Sequence, residues 1–227
     1  MHADGPTGPH EAGMDFETLP PSAVGPGLGL ADCLDLVVEG YLFGDLDSMA
    51  NEISMKEMGA VCYPMMMAVL AGSELLGGLT GGPKDGEVAY YWRNSMATAN
   101  AAYGHLGQLA QDLLRNGLMH VYLTKPGIGV RRDRPEQHLT IDPMSRVRIF
   151  NCVVLADDFR RSYYEHAKAR IGEHPEAAQK SLDRLMGAAA KKSAEVLARV
   201  PADAFGPMPP GTISGGTIVA TGASGLP

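Results

Sequence analysis

The segment that decides the fold class is "YGHLGQLAQDLLRNGLMH", residues 103–120, in which apolar side chains recur every three or four positions. This spacing places them on one stripe of an amphipathic helix. The stripe is formed by Leu106, Leu109, Ala110, Leu113 and Leu114. Similar helical patterns occupy residues 30–43, 55–79, 87–100 and 175–200, so the sequence predicts a mainly α helical bundle.

A different pattern follows "KPG" at residues 125–127. The short runs "IGVRRD", "QHLTID" and "RVRIFNCVVL" are rich in β-branched residues, and "RPE" and the turn sequence "DPMS" separate them. We therefore expect a small antiparallel β-hairpin or meander inserted at about residues 127–155. The helical pattern then returns, with Asp157 or Asp158 as the expected N-cap and Gly172 as the expected stop.

Composition divides the chain into one helical domain with two tails. Residues 1–29 contain eleven Pro and Gly residues and little apolar periodicity, which is typical of a disordered arm. Residues 201–227 are again rich in Pro and Gly, so we expect a flexible tail. The helical domain with its β insertion is therefore predicted to span residues 30–200.

Cysteine use and hydropathy predict a cytoplasmic protein without a membrane segment. The three cysteines have no framework spacing, which favours reduced, buried thiols, and the N-terminus lacks the pattern of a secretory signal. The most apolar window, residues 60–79, includes Pro64, Ser73 and Glu74 and has no flanking Lys/Arg cluster. A buried core helix is the better interpretation of this window.

The net charge of −7 is unevenly distributed along the chain. Residues 115–170 contain eleven Lys and Arg against six Asp and Glu, so this segment is positive and the remainder strongly negative. Such asymmetry permits a local basic surface that binds a polyanion. The alternative is a set of solvated charges with no common partner.

A polar motif closes the helix of residues 103–120. "RNGLMHVY", residues 115–122, has the spacing R-x4-H-x-Y, with Asn116 directly after the arginine. In residues 113–123 the chain resembles the HEPN superfamily of helical domains, which includes prokaryotic ribonucleases of toxin–antitoxin, CRISPR and other defence systems. The resemblance implies a metal-independent endoribonuclease with no cofactor, built as a symmetric homodimer with a composite cleft. It also implies that Tyr122 is modified by a nucleotidyltransferase antitoxin partner.

The residues of the motif suit RNA chemistry in their own right. His120 titrates near neutral pH and can transfer protons, Arg115 presents a planar fork of donors to phosphate, and Asn116 can orient the imidazole. On an ideal helix Asn116 and His120 share a face, whereas Arg115 lies about 140° away from His120. Either the helix ends or distorts at Gly117, or two copies of the motif meet across a dimer.

Further residues are candidates for contacts with RNA. We predict phosphate contacts by Arg131, Arg132, Arg146 and Arg148, with Arg134 as an additional candidate. Strand alternation would place Arg146 and Arg148 on one face.

Other polar and aromatic residues carry weaker functional signals. The histidines at positions 105, 138 and 166 have no metal-like spacing, so we predict no metal site. "YYW", residues 90–92, is expected to belong to the core rather than to stack on bases.

Two other readings of the motif stay open. In the first, a non-catalytic HEPN-like module binds RNA, a nucleotide or a protein partner through the same groove and the basic hairpin. In the second, the motif is accidental: Arg115 pairs with Asp112 or caps helix carbonyls, and His120 hydrogen-bonds the following loop.

Overall fold

The computed structural model describes residues 27–54, 61–121 and 126–201. For residues 119–121 and 197 it describes the backbone only. The predicted arm before residue 27 and the predicted tail after Pro201 lie outside the described residues.

Within the described chain, six helices and a three-stranded sheet confirm the mainly α fold with a small β insertion. The helices are α1 (residues 30–51), α2 (Cys62–Leu79), α3 (residues 87–99), α4 (residues 103–121), α5 (residues 152–173) and α6 (Pro175–Leu197). The strands are β1 (Ile128–Arg131), β2 (Thr140–Ile141) and β3 (Arg148–Asn151).

Helix α2 is the centre of the bundle and packs against α3, α5 and α6. Its buried side chains include Met65, Met66, Val69, Leu70 and Leu76, as the apolar composition of this window predicts. By length and hydropathy Cys62–Leu79 could also span a membrane, but 56% of its apolar window is buried inside the protein. This burial is what a core helix of a globular protein shows, and the feature by itself is weak evidence for a membrane span.

Glycine at the end of α2 permits a close approach by α3. A Cβ atom on Gly77 would lie 2.2 Å from the backbone oxygen of Glu87, the first residue of α3. The Gly77-Gly78 pair lies within α2 and does not interrupt it, since the helix continues to Leu79. Pro64 also does not interrupt it, because this residue lies in the first turn, where no helical N–H is needed.

Aromatic side chains fill the core between α3, α4 and α5. Tyr91 and Trp92 are fully buried, as expected, and Trp92 makes an edge contact with Tyr103 at 5.2 Å between ring centroids. Phe159 packs 5.7 Å from Tyr91 on the neighbouring helix. Together these rings hold the N-terminal half of α4 against α3 and α5.

Four of the helices contain wider, π-helical turns. These segments are Cys33–Leu42, Trp92–Met96, Ala110–Arg115 and Tyr163–Ala167. A π-helical turn takes up an additional residue and rotates the side chains that follow. In α4 this widening ends at Arg115, the first residue of the motif.

The sheet is mixed rather than a meander. β3 lies in the centre; it pairs antiparallel with β2, as a hairpin, and parallel with β1, with Ile128 opposite Arg148. The predicted hairpin is therefore present, but the prediction of an antiparallel meander is wrong for β1. The chain after β1 turns through the helical segment Pro135–Gln137, so that β2 reaches the far edge of β3.

Helix α5 begins earlier than predicted. Its N-cap is Asn151, whose side-chain oxygen accepts hydrogen bonds from the backbone N–H groups of Val153 and Val154, each at 3.1 Å. Asp157 and Asp158 lie inside the helix, and "CVVL", expected to continue the strand, forms its first turn. A buried asparagine that satisfies two free N–H groups outweighs the β propensity of the two valines.

The last helix is buried only in its first half. Leu182 is buried, whereas Ala189 and Val196, which follow it at helical spacing, are exposed. Alanine favours a helix without needing to be buried, so the apolar pattern overstates the packed length here.

Candidate functional site

The motif lies at the C-terminal end of α4, and the helix continues through it. Asn116–Val121 is α-helical, so the helix does not end at Gly117; the distortion in α4 is the π-helical segment Ala110–Arg115, which ends two residues before Gly117. Over this segment the backbone positions of Asn116 and His120 share a face. Arg115 is the last residue of the π-helical segment, so the ideal α-helical angle of about 140° between Arg115 and His120 does not apply directly.

Arg115 binds a carboxylate on the central helix. Its Nε donates to Oε2 of Glu74 at 3.2 Å and its Nη2 to Oε1 at 2.9 Å, a two-point ion pair between α4 and α2. The hydrogen bond to Glu74 raises the pKa of Arg115 further. The pair forms with Glu74 rather than with Asp112, whose carboxylate instead accepts a hydrogen bond from Gln108 at 2.7 Å.

Asn116 connects Arg115 to a polar groove. Its Oδ1 accepts a hydrogen bond of 3.1 Å from Nη1 of Arg115. The groove has a volume of about 260 Å³ and lies between α4 and the loop that joins α2 to α3. Its lining consists of Pro83, Asp85, Gly86, Ala89, Tyr90, Arg93, Gln108, Gln111, Asp112 and Asn116. One guanidinium and two carboxylates thus face a space open to solvent.

Two members of the motif are only partly covered by the structure. The backbone of His120 belongs to α4, one turn after Asn116, and its side chain lies outside the described residues. Tyr122 also lies outside the described residues.

The side chains of two predicted RNA-binding arginines bind other groups of the same chain. Arg131 forms a two-point ion pair with Asp133, with contacts of 2.9 and 2.6 Å, and also bonds Gln137. Arg132 donates to the backbone oxygens of Ala50 and Ile53 at the end of α1. Both residues anchor the β insertion, which reduces the charge that they present to solvent.

The other two predicted arginines are exposed. Arg148 begins β3, but Arg146 lies in the preceding turn with a φ of 59°, so the alternation argument for a shared strand face is wrong. Among the described residues the side chains of both arginines have no hydrogen-bond or ion-pair partner. Arg134 is also exposed and lies 3.9 Å from the carboxylate of Asp133.

Two further cations of the positive segment pair with acidic residues of α1. Arg160 bonds Asp47 at 2.6 Å and Lys168 bonds Glu39 at 2.6 Å. The excess positive charge that the sequence shows in residues 115–170 is therefore largely neutralised across helices. Within the described part of residues 115–170, the cations without a hydrogen-bond or ion-pair partner are Arg146 and Arg148, both on the β insertion.

A buried polar network, which the sequence analysis missed, joins the β insertion to the bundle. The backbone N–H of Asn151 donates to Nδ1 of His138 at 3.0 Å, so Nε2 of the neutral imidazole carries the proton and faces the hydroxyl of Tyr103 at 2.7 Å. Tyr103 donates in turn to Asp158 at 2.9 Å. Arg161 completes the network with a 2.5 Å contact to Asp158.

Burial sets the protonation states in this network. It lowers the pKa of His138 and raises that of Tyr103. The network therefore holds a neutral histidine, a neutral tyrosine and a carboxylate paired with arginine. His138 lies just before β2, Tyr103 begins α4, and Asp158 and Arg161 belong to α5. Because these elements are far apart in the sequence, no motif spacing predicts the network.

A second, apolar cavity lies beside this network. It has a volume of about 280 Å³ and separates the start of α4 from β2 and β3. Its apolar walls come from both elements, and His105 and Arg148 are its ionisable members. No cluster of three or more His, Cys, Asp or Glu residues that could hold a metal ion occurs in the described ranges.

No family model matches the sequence, and the searches of curated proteins and of solved structures gave no match.

Proposed function

We propose that this protein is a HEPN-like, metal-independent endoribonuclease of a bacterial defence or toxin–antitoxin system. The observation that supports the proposal best is the end of α4, where Arg115, Asn116 and His120 lie within two helical turns and Asn116 lines an open polar groove. In this proposal His120 transfers the proton, Arg115 binds the reacting phosphate and Asn116 orients either the imidazole or the phosphate.

The ion pair of Arg115 is compatible with a role in phosphate binding. A guanidinium has five N–H groups. Two of them bind Glu74 and one binds Asn116, which leaves two donors on a side chain whose exposed fraction is 29%. Because Glu74 fixes the plane of the guanidinium, the two remaining N–H groups of Arg115 are already oriented to bind a phosphate.

The proposed reaction is a transesterification within RNA. The 2′-oxygen attacks the neighbouring phosphorus, the bond to the 5′-oxygen breaks, and the products are a 2′,3′-cyclic phosphate and a 5′-hydroxyl. The proton leaves the 2′-oxygen and a proton reaches the 5′-oxygen, with His120 serving one of these transfers. Since an ideal α-helix would place Arg115 and His120 about 140° apart, we propose that a homodimer brings the two residues together from different chains.

Cleavage of RNA in the presence of EDTA tests the proposal. The wild-type protein should cut a single-stranded RNA, and His120→Ala should slow cleavage by about a hundredfold or more. His105→Ala is the matched control, because His105 is an exposed histidine on the same helix. Equal cleavage by wild type and His120→Ala would overturn the assignment.

A non-catalytic HEPN-like module is the second candidate, and the neutralised arginines favour it. Glu74 offsets the charge of Arg115, while Arg131 and Arg132 bind groups of the protein itself. In this case RNA stays intact, and binding depends on the exposed cations of the β insertion. Salt-sensitive RNA binding that is lost in an Arg146→Gln/Arg148→Gln variant, and kept in a charge-matched Arg184→Gln/Lys191→Gln control on α6, would support it.

We also propose that Tyr122 accepts a nucleotide from a nucleotidyltransferase partner. Co-expression with such an enzyme, followed by mass spectrometry, should show an adduct on this tyrosine that Tyr122→Phe lacks. The proposed activity belongs in the cytoplasm, where RNA and reduced thiols occur together.

A further inference from the structure

We propose that the apolar cavity between α4 and the β insertion binds a small amphipathic anion: an aliphatic carboxylate whose chain fills the cavity and whose head group binds Arg148. This site is separate from the motif at residues 115–122 and does not depend on the proposed nuclease activity.

The walls of this cavity are apolar on both sides. Leu106 and Leu109 form the wall on α4, and Leu139 and Ile141 form the wall on the side of β2. Phe150 of the central strand also lines the cavity and is only 1% exposed, so the cavity reaches down to the core. Water in such a space has few hydrogen-bond partners, and an alkyl chain that displaces it is stabilised by the hydrophobic effect.

Arg148 lies on the face of the sheet that packs against the bundle. The pairing register places it directly opposite Ile128 of β1 and Ile141 of β2, and directly opposed residues of neighbouring strands point to the same face. Phe150, two positions further along β3, shares this face and belongs to the core. The exposed Arg148 therefore ends an otherwise apolar row of side chains at the mouth of the cavity.

The lining carries a cation and no carboxylate. Its ionisable side chains are His105 and Arg148, and neither has a hydrogen-bond or ion-pair partner among the described residues. The hydroxyl of Thr140, another lining residue, already donates to the backbone oxygen of Gln137 at 2.7 Å. Asp142, the residue after β2, directs its Oδ1 to two backbone N–H groups of the following turn, at 3.1 and 2.7 Å. An anion in the cavity would therefore meet a cation and no competing carboxylate.

The guanidinium of Arg148 can turn to an anion without losing a bond. Its Nη1 lies beside Gly127, 4.0 Å from where a Cβ atom of that residue would be, and no described side chain binds it there. A guanidinium presents parallel N–H donors that match the two oxygens of a carboxylate, and such charge-assisted hydrogen bonds are stronger than neutral ones. The head group of the ligand is therefore assigned to Arg148 and its chain to the apolar walls.

The volume of about 280 Å³ limits the ligand to a chain of medium length. A water molecule occupies about 30 Å³ in the liquid, so the cavity has room for about nine groups of the size of water or methylene. Octanoate, a carboxylate with a medium-length alkyl chain, is close to this size. Acetate shares only its head group and octanol only its chain, so these two compounds separate the contributions of charge and burial.

A second copy of the chain fits this cavity less well than a small anion does. A contact about a two-fold axis at the cavity would bring Arg148 and His105 of both copies together, with no lining carboxylate to pair with them. A small anion instead supplies the missing negative charge.

Isothermal titration calorimetry of the full chain tests the class of ligand. Octanoate should bind at one saturable site, and octanol and acetate should each bind at least about tenfold more weakly, because octanol lacks the charge-assisted hydrogen bonds and acetate lacks the buried chain. Equal affinities for octanoate and octanol, or no saturable binding of octanoate by the folded wild type, would overturn the proposal.

The contact with the head group is tested by Arg148→Gln, which should weaken octanoate binding by about tenfold or more. Arg146→Gln is the matched control, because Arg146 is also exposed and lies two positions earlier but does not line the cavity. This control loses the same charge, and its affinity should change by less than about twofold, since salt screens exposed charges at a distance. Equal losses in the two variants would mean a general effect of charge and would overturn the proposal.

Ala102→Phe tests whether the chain of the ligand fills the cavity. Ala102 lines the cavity just before α4, so a phenyl ring there should occupy the space and abolish octanoate binding. Circular dichroism establishes that the variant is folded, and wild-type affinity in the folded variant would overturn the proposal. Light scattering tests the other occupant. A wild-type dimer that binds no octanoate and that Ala102→Phe dissociates would identify a contact between copies and overturn the proposal as well.

Discussion

Arg115 and Glu74 form a two-point ion pair that ties the motif helix α4 to the central helix α2, with N–O distances of 3.2 and 2.9 Å. The exposed fractions of the two side chains are 29% and 37%. Pairs that keep this much contact with water contribute only about 0–1 kcal/mol to stability. The pair instead fixes the orientation of Arg115, and the carboxylate of Glu74 offsets its positive charge.

Replacement of Glu74 by glutamine should therefore change RNA binding more than stability. In Glu74→Gln the charge of Arg115 is no longer offset, so affinity for single-stranded RNA should rise severalfold at low salt. The slope of log affinity against log salt should steepen by about 0.7, the value for one added phosphate contact. Fluorescence anisotropy across a salt series measures both quantities.

Asp112→Asn is the control for that experiment. It removes a negative charge from α4 at a carboxylate that bonds Gln108 rather than Arg115. If Asp112→Asn and Glu74→Gln change the salt slope equally, the effect is one of overall charge, and Arg115 does not contact RNA.

A methyl group on Gly77 should destabilise the bundle. Its Cβ would lie 2.2 Å from the backbone oxygen of Glu87, so α3 would have to move away from α2. We expect Gly77→Ala to lower the free energy of unfolding by about 1–3 kcal/mol. Gly187→Ala in α6, where a Cβ meets nothing within 4 Å, should instead raise it by about 0.5–1 kcal/mol. Urea denaturation measures both, and a neutral Gly77→Ala would show that the helices are not tightly apposed.

Asn151 should stabilise the folded protein in two separable ways. Its oxygen caps α5, and its amide holds the backbone oxygens of Arg132 and Asp133. Asn151→Ala should cost about 1–3 kcal/mol, because a cap is worth about 1 kcal/mol and two part-buried carbonyls lose their donors. Asn151→Ser retains a capping oxygen and should recover about 1 kcal/mol. Equal midpoints for the two variants in urea would mean that the cap does not contribute.

The neutral state of His138 should make stability depend on pH. Burial lowers its pKa in the folded protein below the unfolded value of about 6.5, so the unfolded chain binds more protons in that range. The free energy of unfolding should therefore fall as pH falls below about 6.5 and level off below the folded pKa. Protonation also removes the acceptor for the N–H of Asn151.

A comparison with a variant that does not titrate isolates this effect. His138→Gln should show a smaller loss of melting temperature between pH 7 and pH 5 than the wild type does. His105→Gln, at an exposed position of α4, should follow the wild type. If all three proteins lose the same number of degrees, His138 is not the source of the pH dependence.

Local patterns were sufficient for most of the fold. The apolar stripe of α4 and the apolar run of α2 predict helices that are present, because one face of a helix must be buried whatever it packs against. The start of α5 was predicted six or seven residues late, since Val153 and Val154 favour a strand until the cap by Asn151 is considered. The parallel pairing of β1 with β3 depends on where the chain returns after Pro135–Gln137, which local preference does not set.

The sequence by itself determined the secondary structure class, the central apolar helix and the chemical character of the motif at residues 115–122. Only the tertiary structure decided which distant groups the charged and polar side chains contact: Glu74 for Arg115, Asp47 for Arg160, and His138 for Tyr103. Helix and strand preferences act between residues a few positions apart. These ion pairs and buried hydrogen bonds instead join atoms that the chain brings together only when the core has packed.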